Sequence, residues 1–358
     1  MSLEIGVVGL PNVGKSTLFN SLTKSEILAA NYPFATIDPN VGIVKVEDHR
    51  LDKLAQLYDT QNIVPATVKF IDIAGLVKGA STGEGLGNQF LAHIRECNAI
   101  CMVVRAFVND NVIRQEGSSS PENDIEVIET ELILADLQTV SKRLPAIEKQ
   151  AKANPKLNKQ LDNLKLAKES LDKGELLSKV KAIDQSELAE LSLLTLKPII
   201  YVFNVDEQTL SDKDAQVKLK DLVSPSPTVF VDADLEYQLN SFSKDEANEL
   251  LTSYGQTTTG LKKLVEEAYS ILNLQSFLTA GPSEVRAWTI KKGETAYDAA
   301  GVIHTDFQRG FIAADIVNYD DLIKSGSIAK ARSEGLVRTE GKTYVMQNDD
   351  IVEFKFNV

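Results

Sequence analysis

The sequence has few of the residues that build covalent or metal-based scaffolds. Its 358 residues include two cysteines, three histidines and one tryptophan. Two cysteines cannot form a disulfide framework, and they are too few for a four-cysteine zinc site. Because Cys97 and Cys101 both lie in an apolar stretch, we interpret them as buried, reduced thiols of a cytoplasmic protein.

Long hydrophobic runs are also missing from the sequence. No stretch reaches the roughly 18 apolar residues that a membrane helix requires. The N-terminal sequence MSLEIGVVGLP has no basic residues before its apolar part, unlike a secretory signal. We therefore expect a cytoplasmic protein that has no membrane partner.

Positive charge is in deficit, with 38 Lys and Arg against 51 Asp and Glu and a net charge of −13. This balance excludes a uniformly basic nucleic-acid-binding surface but leaves room for a local basic patch. The hydrophobic fraction of 43% and the charged fraction of 25% are typical of globular proteins. A chain of this length usually forms two or three domains.

Strand and helix patterns alternate through the first hundred residues, which predicts an α/β fold: a mainly parallel sheet with helices on both faces. The apolar strands are expected at 5–9, 68–73 and 100–104, with helices at 15–22 and 89–95. The strand pattern resumes at 198–203 and 228–232. The sheet is therefore interrupted by an insertion.

Inside this insertion the apolar residues follow a coiled-coil spacing of four and three. The first arm contains Ile133, Leu137, Val140, Leu144, Ile147 and Ala151, and the second contains Leu157, Leu161, Leu164 and Leu171. Asn154-Pro155 is typical of a turn, so we predict a helical coiled-coil hairpin. Pro145 is expected to kink or divide the first arm.

Basic residues are concentrated in this hairpin. Residues 142–181 contain eleven Lys or Arg and five Asp or Glu, which leaves 27 bases and 46 acids elsewhere. The pattern is compatible with an ordinary solvated helical surface and with an RNA-binding arm. Reversing the charge of Lys149, Lys152, Lys156 and Lys159 should separate these two interpretations.

The last part of the chain has a different pattern. After an amphipathic helix at 261–272, short strands are predicted at 285–290, 311–317, 342–345 and 352–356. Glycines punctuate these strands, and apolar and polar positions alternate along them. This pattern predicts a small mixed sheet of under a hundred residues.

The segment GLPNVGKS at 9–16 fits the phosphate-loop pattern G-x-x-x-x-G-K-[ST]. It lies between a predicted strand and a predicted helix, where main-chain N–H groups can point at phosphate oxygens. Lys15 is predicted to contact the β- and γ-phosphates, and Ser16 is predicted to bind Mg²⁺. The other predicted nucleotide contacts of the loop are Asn12, Val13, Gly14 and Thr17.

A second element, FIDIAG at 70–75, is an apolar strand that ends in D-x-x-G. Asp72 is predicted to bind Mg²⁺ through a water molecule, and the Gly75 N–H is predicted to contact the γ-phosphate. The loop between the two elements offers Thr36 as a second hydroxyl ligand for Mg²⁺. Lys15, Thr36 and Gly75 are thus the predicted catalytic residues.

The group that orients the attacking water is missing from its usual place. In Ras-like proteins a glutamine follows D-x-x-G, whereas this chain has Leu76, which can neither donate nor accept a proton. We interpret His93, on the next predicted helix, as an exposed structural residue. Asn12 could hold K⁺ between phosphate oxygens, a hypothesis that equal turnover in potassium and sodium buffers would contradict.

The nucleotide base is predicted from the segment NVDE at 204–207, which stands where guanine-specific proteins have N-K-x-D. Val205 replaces the lysine that packs on the base, and Glu207 is one methylene longer than the required Asp. A misplaced charged hydrogen bond forfeits roughly 1.5–3 kcal/mol. We therefore expect ATP to be preferred and GTP to be secondary, with the side-chain carbonyl of Asn204 accepting from the adenine amino group.

Together these motifs resemble the Obg-like ATPase family of P-loop NTPases, in particular its YchF subfamily. The resemblance extends over essentially the whole chain, through LPNVGKST, NYPFATIDPN, FIDIAGLVKGAS, GEGLGNQFL, NVDE, FLTAGPSEVRAWTI and VEFKFNV. It implies Mg²⁺-dependent hydrolysis of ATP in preference to GTP, and it also implies binding to the ribosome. We expect the contact to be with the large subunit and its rRNA, through the basic hairpin and the C-terminal sheet.

The resemblance also implies a domain organisation. The nucleotide-binding domain is expected at 1–125 and 197–275, the helical insertion at 126–196, and a C-terminal α+β TGS domain at 276–358. One position departs from the family: bacterial relatives commonly have a histidine after N-[IV]-I, whereas this chain has Arg114 after Asn111-Val112-Ile113. If this position places the attacking water, hydrolysis should be slower here.

Overall fold

A computed structural model describes residues 3–24, 40–73, 86–109 and 120–357. The chain forms two compact units, Met1–Ile43 with Lys69–Glu267, and Val44–Val68 with Ala268–Val358. The predicted nucleotide-binding domain includes residues 44–68, but in the structure this segment packs with the C-terminal unit. Each unit has its own hydrophobic interior.

The strands of the described residues are β1 (Glu4–Gly9), β2 (Val41–Lys45), β3 (Ile63–Val64), β4 (Thr67–Asp72), β5 (Ala99–Arg105), β6 (Ile199–Asn204), β7 (Thr228–Val231), β8 (Leu274–Ala280), β9 (Val285–Lys291), β10 (Phe311–Asn318), β11 (Arg338–Glu340) and β12 (Asp350–Phe356). The α-helices are α1 (Lys15–Lys24), α2 (His49–Tyr58), α3 (Leu86–Glu96), α4 (Pro121–Ala151), α5 (Asn158–Asp172), α6 (Gln185–Leu188), α7 (Glu207–Ser211), α8 (Lys213–Asp221), α9 (Ala233–Leu239), α10 (Lys244–Ser253), α11 (Gly260–Ile271), α12 (Ala296–Ile303), α13 (Thr305–Arg309), α14 (Tyr319–Ser325) and α15 (Ile328–Ser333).

The first sheet confirms the predicted parallel arrangement. Its strand order is β2-β4-β1-β5-β6-β7, and the pairs β1–β4, β1–β5, β5–β6 and β6–β7 are all parallel. Every residue of β5 and β6 is buried, which explains their continuous apolar sequences. Because the strands run the same way, the segments after β1, β5, β6 and β7 meet at one edge of the sheet.

The inserted hairpin consists of α4 and α5, joined through a short turn. Ser120 begins α4 by accepting a hydrogen bond from the Asn123 N–H at 3.2 Å, and Pro121 occupies the first helical turn. Asn154 caps the turn by accepting from the Lys156 N–H at 3.2 Å. Four residues of the predicted first-arm seam are buried, namely Ile133, Val140, Ile147 and Ala151, whereas Leu137 and Leu144 are half-buried.

Pro145 was expected to kink or divide the first arm, and of these two outcomes the division is wrong. Pro145 lies inside α4, which runs through 31 residues without a break. A proline removes one main-chain hydrogen bond from a helix. Here Val140 and Ile147, on either side of the proline, are buried, so side-chain packing holds the helix across that position.

The hairpin is fixed at its base by one buried carboxylate. Asp136 of α4 is fully buried and accepts hydrogen bonds from the Leu194 N–H at 3.0 Å, the Thr195 N–H at 2.7 Å and the Thr195 hydroxyl at 2.6 Å. Burial raises the pKa of Asp136, while the bonds from Thr195 and Leu194 oppose that shift. Leaving a buried donor without its partner costs about 1–3 kcal/mol, so this carboxylate is a strong attachment of α4 to the chain that leads into β6.

The C-terminal unit contains the predicted small mixed sheet, in the order β11-β10-β12-β8-β9-β3. The pairs β10–β11, β10–β12 and β8–β9 are antiparallel, whereas β12–β8 and β3–β9 are parallel. One apolar cluster joins α2 and α14 to the sheet, and a second one includes α12. The sheet is therefore packed on both faces.

Two details of this unit differ from the sequence-based expectation. Residues 342–345 are not a strand but a turn, with one isolated bridge between Thr295 and Val345. The strands β3, β8 and β11 were not predicted. The pairing of β3 with β9 and the burial of Leu51 and Leu54 in the first cluster explain why residues 44–68 belong to this unit.

No helix among the described residues is long and apolar enough to span a membrane.

Candidate nucleotide-binding site

The phosphate loop has the predicted local structure, since β1 ends at Gly9 and α1 begins at Lys15. Two residues of the loop have a positive φ, Asn12 at 63° and Gly14 at 90°. Asparagine and glycine are the residues that adopt this conformation most readily. At Gly14 a Cβ atom would also collide with Nδ2 of Asn204, so the glycine is required by its backbone and by a neighbouring side chain.

A cavity of about 670 Å³ lies over this loop. Its polar lining includes Lys15, Ser16, Asn40, Asp72 and His93. The Lys15 ammonium and the Asp72 carboxylate are in direct contact, and their side chains are 11% and 21% exposed. The two charged groups predicted to bind a phosphate and a magnesium ion therefore face the same cavity, although they are 57 residues apart.

Several predicted residues lie outside the described part of the chain. They are Thr36, Gly75, Leu76 and Arg114. The predicted contacts of Thr36 with Mg²⁺ and of Gly75 with the γ-phosphate stay predictions.

A second cavity, of about 720 Å³, shares Asn12, Gly14 and Thr17 with the first. Its remaining lining comes from three segments that follow β5, β6 and β7, at 107–109, 204–208 and 232–235, together with Gln238 of α9. The predicted residues Asn204, Val205 and Glu207 all belong to this lining. The two cavities thus adjoin the phosphate loop at the same three residues.

Asn204 holds two parts of this site together. Its Nδ2 donates to the Val13 carbonyl at 2.9 Å, and its Oδ1 accepts from the Ala233 N–H at 3.1 Å. The residue is 5% exposed. Asn204 therefore connects the phosphate loop to α9. Its side-chain carbonyl, which was expected to accept from the adenine amino group, already accepts from Ala233. A direct contact with adenine stays a prediction.

The three residues after Asn204 differ in what they offer to a base. Val205 is only 2% exposed. Asp206 accepts a hydrogen bond from the Thr209 N–H at 2.9 Å and so caps α7. Glu207 is exposed as the first residue of α7. Both Asp206 and Glu207 line the cavity, but Asp206 is held by the cap of α7, whereas Glu207 is the more exposed of the two carboxylates.

The opposite wall of this cavity is held by two buried carboxyl groups. Asp232 accepts from the Asp234 and Leu235 N–H groups, both at 3.0 Å, and burial raises its pKa. Glu236 accepts from the Gly260 N–H at 2.5 Å and the Leu261 N–H at 3.3 Å, and burial raises its pKa to about 7. These bonds fix the start of α9 and connect α9 to the start of α11.

Two parts of the lining were not predicted. His93 is exposed, as expected. It was interpreted as a structural residue, but it lines the cavity over the phosphate loop, which we call the phosphate cavity. Phe107, Val108 and Asn109 line the second cavity, which contains the residues predicted to contact the base and which we call the base cavity. Their position directly after β5 could have revealed them, because ligands of parallel sheets bind beyond the carboxyl ends of the strands.

The chain is similar to known proteins over its whole length. It is 46% identical to the ribosome-binding ATPase YchF of Bacillus subtilis and 44% identical to that of Escherichia coli O157:H7, and in both comparisons the match covers 100% of each chain. The chain belongs to the YchF family. A solved structure of the Schizosaccharomyces pombe YchF GTPase superposes with a TM-score of 0.88 at 38% identity, over 99% of this chain and 98% of that one.

Two family models match separate parts of the chain. The model described as a 50S ribosome-binding GTPase matches residues 4–140. The C-terminal YchF-GTPase model, described as a protein of unknown function, matches residues 274–357. The second match coincides with the mixed sheet, from the start of β8 to the end of β12.

Proposed function

We propose that this chain is a Mg²⁺-dependent ATPase that binds the ribosome and uses nucleotide hydrolysis to change that binding. The observation that carries the proposal is the phosphate loop itself, with Lys15 and Asp72 facing one cavity and a second cavity adjoining the same loop. The names of the relatives, ribosome-binding ATPases, support both parts.

At the phosphate end the chain supplies main-chain N–H donors and the ammonium group of Lys15. The main-chain N–H groups from Val13 to Thr17 surround the phosphates at the beginning of α1, where the helix dipole favours negative charge. The Lys15 ammonium contacts the Asp72 carboxylate. When nucleotide binds, the ammonium would leave this carboxylate and contact the β- and γ-phosphate oxygens. The Gly75 N–H would complete the contacts with the γ-phosphate.

The oxygen ligands in the phosphate cavity fit magnesium. Ser16 offers a hydroxyl and Asp72 a carboxylate, and Mg²⁺ prefers such oxygen ligands together with water and phosphate. Ser16 and Thr36 would bind the ion directly, and Asp72 would bind it through water. The ion would neutralise charge on the phosphate oxygens, and K⁺ held by Asn12 would add to this, so replacing K⁺ by Na⁺ should slow turnover.

At the base end we propose that ATP is preferred. Val205 stands in place of the lysine that packs on guanine, and its side chain is buried. Glu207 is one methylene longer than the Asp that recognises guanine. A conventional GTPase is the second candidate, because the matching family model and the S. pombe relative are both named GTPases. A competition titration of ATP against GTP separates the two, and a several-fold preference for GTP would favour the second.

We propose that the end of the hairpin contacts rRNA of the large subunit. Lys149, Lys152 and Lys156 are exposed around the turn and form no ion pair with any residue that the structure describes. Lys159, in contrast, lies 2.6 Å from Asp184 and 3.1 Å from Glu187, and the bond from Asp184 is the main cause of its raised pKa. Because two carboxylates already contact it, Lys159 is a weaker candidate for a phosphate contact than the other three lysines.

Ion pairing along the hairpin provides a matched test of this contact. Lys165, Lys168 and Lys173 are paired with Glu148 at 3.9 Å, Asp172 at 2.6 Å and Glu169 at 2.8 Å. A triple Lys→Gln variant at 149, 152 and 156 should weaken binding to large subunits and lower the slope of log affinity against log salt by about two to three. The same change at 165, 168 and 173 should have a much smaller effect. Equal losses in both variants would contradict the proposed contact.

The hydrolytic cycle is tested at Lys15. Lys15→Ala should lower ATP turnover by at least about a hundredfold, because it removes a cation from the transition state. The measurement is the ATPase rate with and without purified ribosomal subunits, together with ribosome co-sedimentation. A protein that uses nucleotide only for stability would keep its ribosome occupancy in the variant, and that result would exclude the proposed switch.

A further inference from the structure

The sheet of the C-terminal unit opens between two of its central strands. Within this fully described part of the chain, β8 and β12 are joined by one parallel pairing, between Leu278 and Ile351. Beyond that position β12 continues for five residues to Phe356, and β8 continues for two residues before the turn into β9. The strands therefore separate, and a cleft of about 550 Å³ lies between them.

The walls of this cleft are mainly apolar and include several aromatic rings. Trp288 of β9, Phe307 of α13, and Phe354 and Phe356 of β12 all belong to its lining. The rings of Phe307 and Phe356 are stacked with their centroids 3.9 Å apart, and Phe356 is still 40% exposed. A concave apolar surface that remains accessible is typical of a binding site.

The charges at the cleft favour a basic ligand. Asp315 is already matched by Lys355 at 2.7 Å and by Arg332 at 3.1 Å, and the bond from Lys355 is the main cause of its lowered pKa. Glu353, in contrast, has a side chain that is 73% exposed, with Arg332 no closer than 3.9 Å. A carboxylate therefore remains accessible at the rim.

The cations near the cleft are committed to other groups. Arg332 and Lys355 contact Asp315, and the Arg286 guanidinium lies 4.0 Å above the ring of Trp288. A single-stranded RNA site combines aromatic faces with cations that are available to phosphates. The aromatic rings are present here, but each of these cations already contacts a carboxylate or a ring, so the cleft is better suited to a polypeptide than to RNA.

From this geometry we infer that the cleft binds an extended basic segment of another protein as an added strand. Two separating strands offer main-chain groups to such a segment, and the aromatic walls offer pockets for alternate side chains. The side chains that point the other way would carry the positive charges toward Glu353. The inference does not depend on nucleotide hydrolysis or on ribosome binding.

The chain contains one tryptophan, and it lines the cleft, so the full-length protein reports binding without a label. The first probe is a short, end-capped peptide of alternating lysine and valine, titrated while the emission of Trp288 is recorded. A saturable change in emission is expected. A peptide of the same composition, with the lysines and valines in two blocks, should bind about tenfold more weakly because it cannot place alternate side chains on opposite faces.

Two variants and one further probe make the test decisive. Glu353→Lys should weaken binding of the alternating peptide about tenfold, and Phe356→Ala should weaken it as well. The control is Glu249→Lys, an equal charge change at an exposed position of α10, which should leave binding unchanged. The inference is overturned if the alternating peptide gives no saturable change, if the block peptide binds equally well, if the control weakens binding as much as Glu353→Lys, or if oligouridylate binds as tightly.

Discussion

The phosphate end and the base end of the nucleotide site are built from different parts of the protein. At the phosphate end one continuous segment, from Gly9 to Thr17, supplies the main-chain donors and the lysine. At the base end, residues from the carboxyl ends of three strands meet. The first construction follows from local sequence, whereas the second depends on how the strands are ordered in the sheet.

This difference explains why one end is easier to interpret than the other. A phosphate loop is defined by spacing and by backbone conformation, and the positive φ values of Asn12 and Gly14 confirm that conformation directly. The base end depends on side chains whose partners lie far away in sequence, as with Asn204 and Val13, which are 191 residues apart. The contact between these two residues is where the ends of the site are coupled.

The largest effect is expected at Gly14. In Gly14→Ala the new Cβ would displace Asn204 in addition to straining the backbone. We estimate a combined strain of about 3 kcal/mol. The variant loop would relieve this strain by leaving the phosphate-binding conformation, and ATP binding would have to restore that conformation. ATP affinity should therefore fall by up to about a hundredfold, measurable by titration calorimetry.

Gly174 provides the matched control for this substitution. It also has a positive φ, of 78°, but nothing lies within 4 Å of the position that a Cβ would occupy. Gly174→Ala should therefore cost only the backbone strain of roughly 1–2 kcal/mol and should not change ATP affinity. If both variants bind ATP normally, the coupling of the two ends through Gly14 is wrong.

Asn204→Ala should destabilise the protein by about 2–4 kcal/mol, because the Val13 carbonyl and the Ala233 N–H both lose a buried partner. As Asn204 braces the site, we expect ATP and GTP affinities to fall by a similar factor. Thermal unfolding and parallel ATP and GTP titrations measure the two effects. A selective loss of one nucleotide would instead show that the side chain contacts the base.

At Glu207 the expected change concerns specificity rather than stability. Glu207→Asp shortens the exposed carboxylate to the length that guanine recognition requires, and the ratio of GTP to ATP affinity should rise about three- to tenfold. The melting temperature should stay close to that of the unchanged protein because the residue is exposed at the first turn of α7. An unchanged ratio would mean that this carboxylate does not contact the base.

The smallest effect is expected from the pH dependence of Glu236. Its pKa is about 7 in the folded protein, against 4.5 as the ordinary value, because of its burial. The folded state therefore takes up a proton more readily, and the stability from this group is full below pH 4.5 and lost as the pH rises through 7. Glu236→Gln should be more stable than the unchanged protein at pH 8 by on the order of 1 kcal/mol, and this difference should shrink toward pH 5. A difference that grows on acidification would contradict the assignment.

The fold could be predicted from the sequence where the pattern is local and strong. Strands β1, β5 and β6 lie within a residue or two of their predicted positions, since their apolar sequences match complete burial. The strand β8 and the segment 44–68 were not assigned to the C-terminal sheet, because they are recognised only by their partners. Residues 342–345 have an apolar end at Val345, but the chain turns there and makes a single bridge.

The same limit applies to the charged residues of the hairpin. The sequence shows an excess of lysines but cannot show which of them are neutralised. Lys159 meets Asp184 and Glu187, which lie more than twenty residues further along the chain. Only the packing of the segment after α5 reveals that pairing. Because Lys159 is paired, we expect the RNA contact at Lys149, Lys152 and Lys156 instead.

The sequence by itself determined the phosphate loop, the parallel strands and the helical insertion, because each depends on spacing and on apolar periodicity within a short segment. The tertiary structure alone decided which side chain braces the loop, which lysines of the hairpin pair with carboxylates, and where the C-terminal sheet opens. These features arise between residues that are far apart in the chain, and their energies depend on burial and distance, which exist only once the chain has folded.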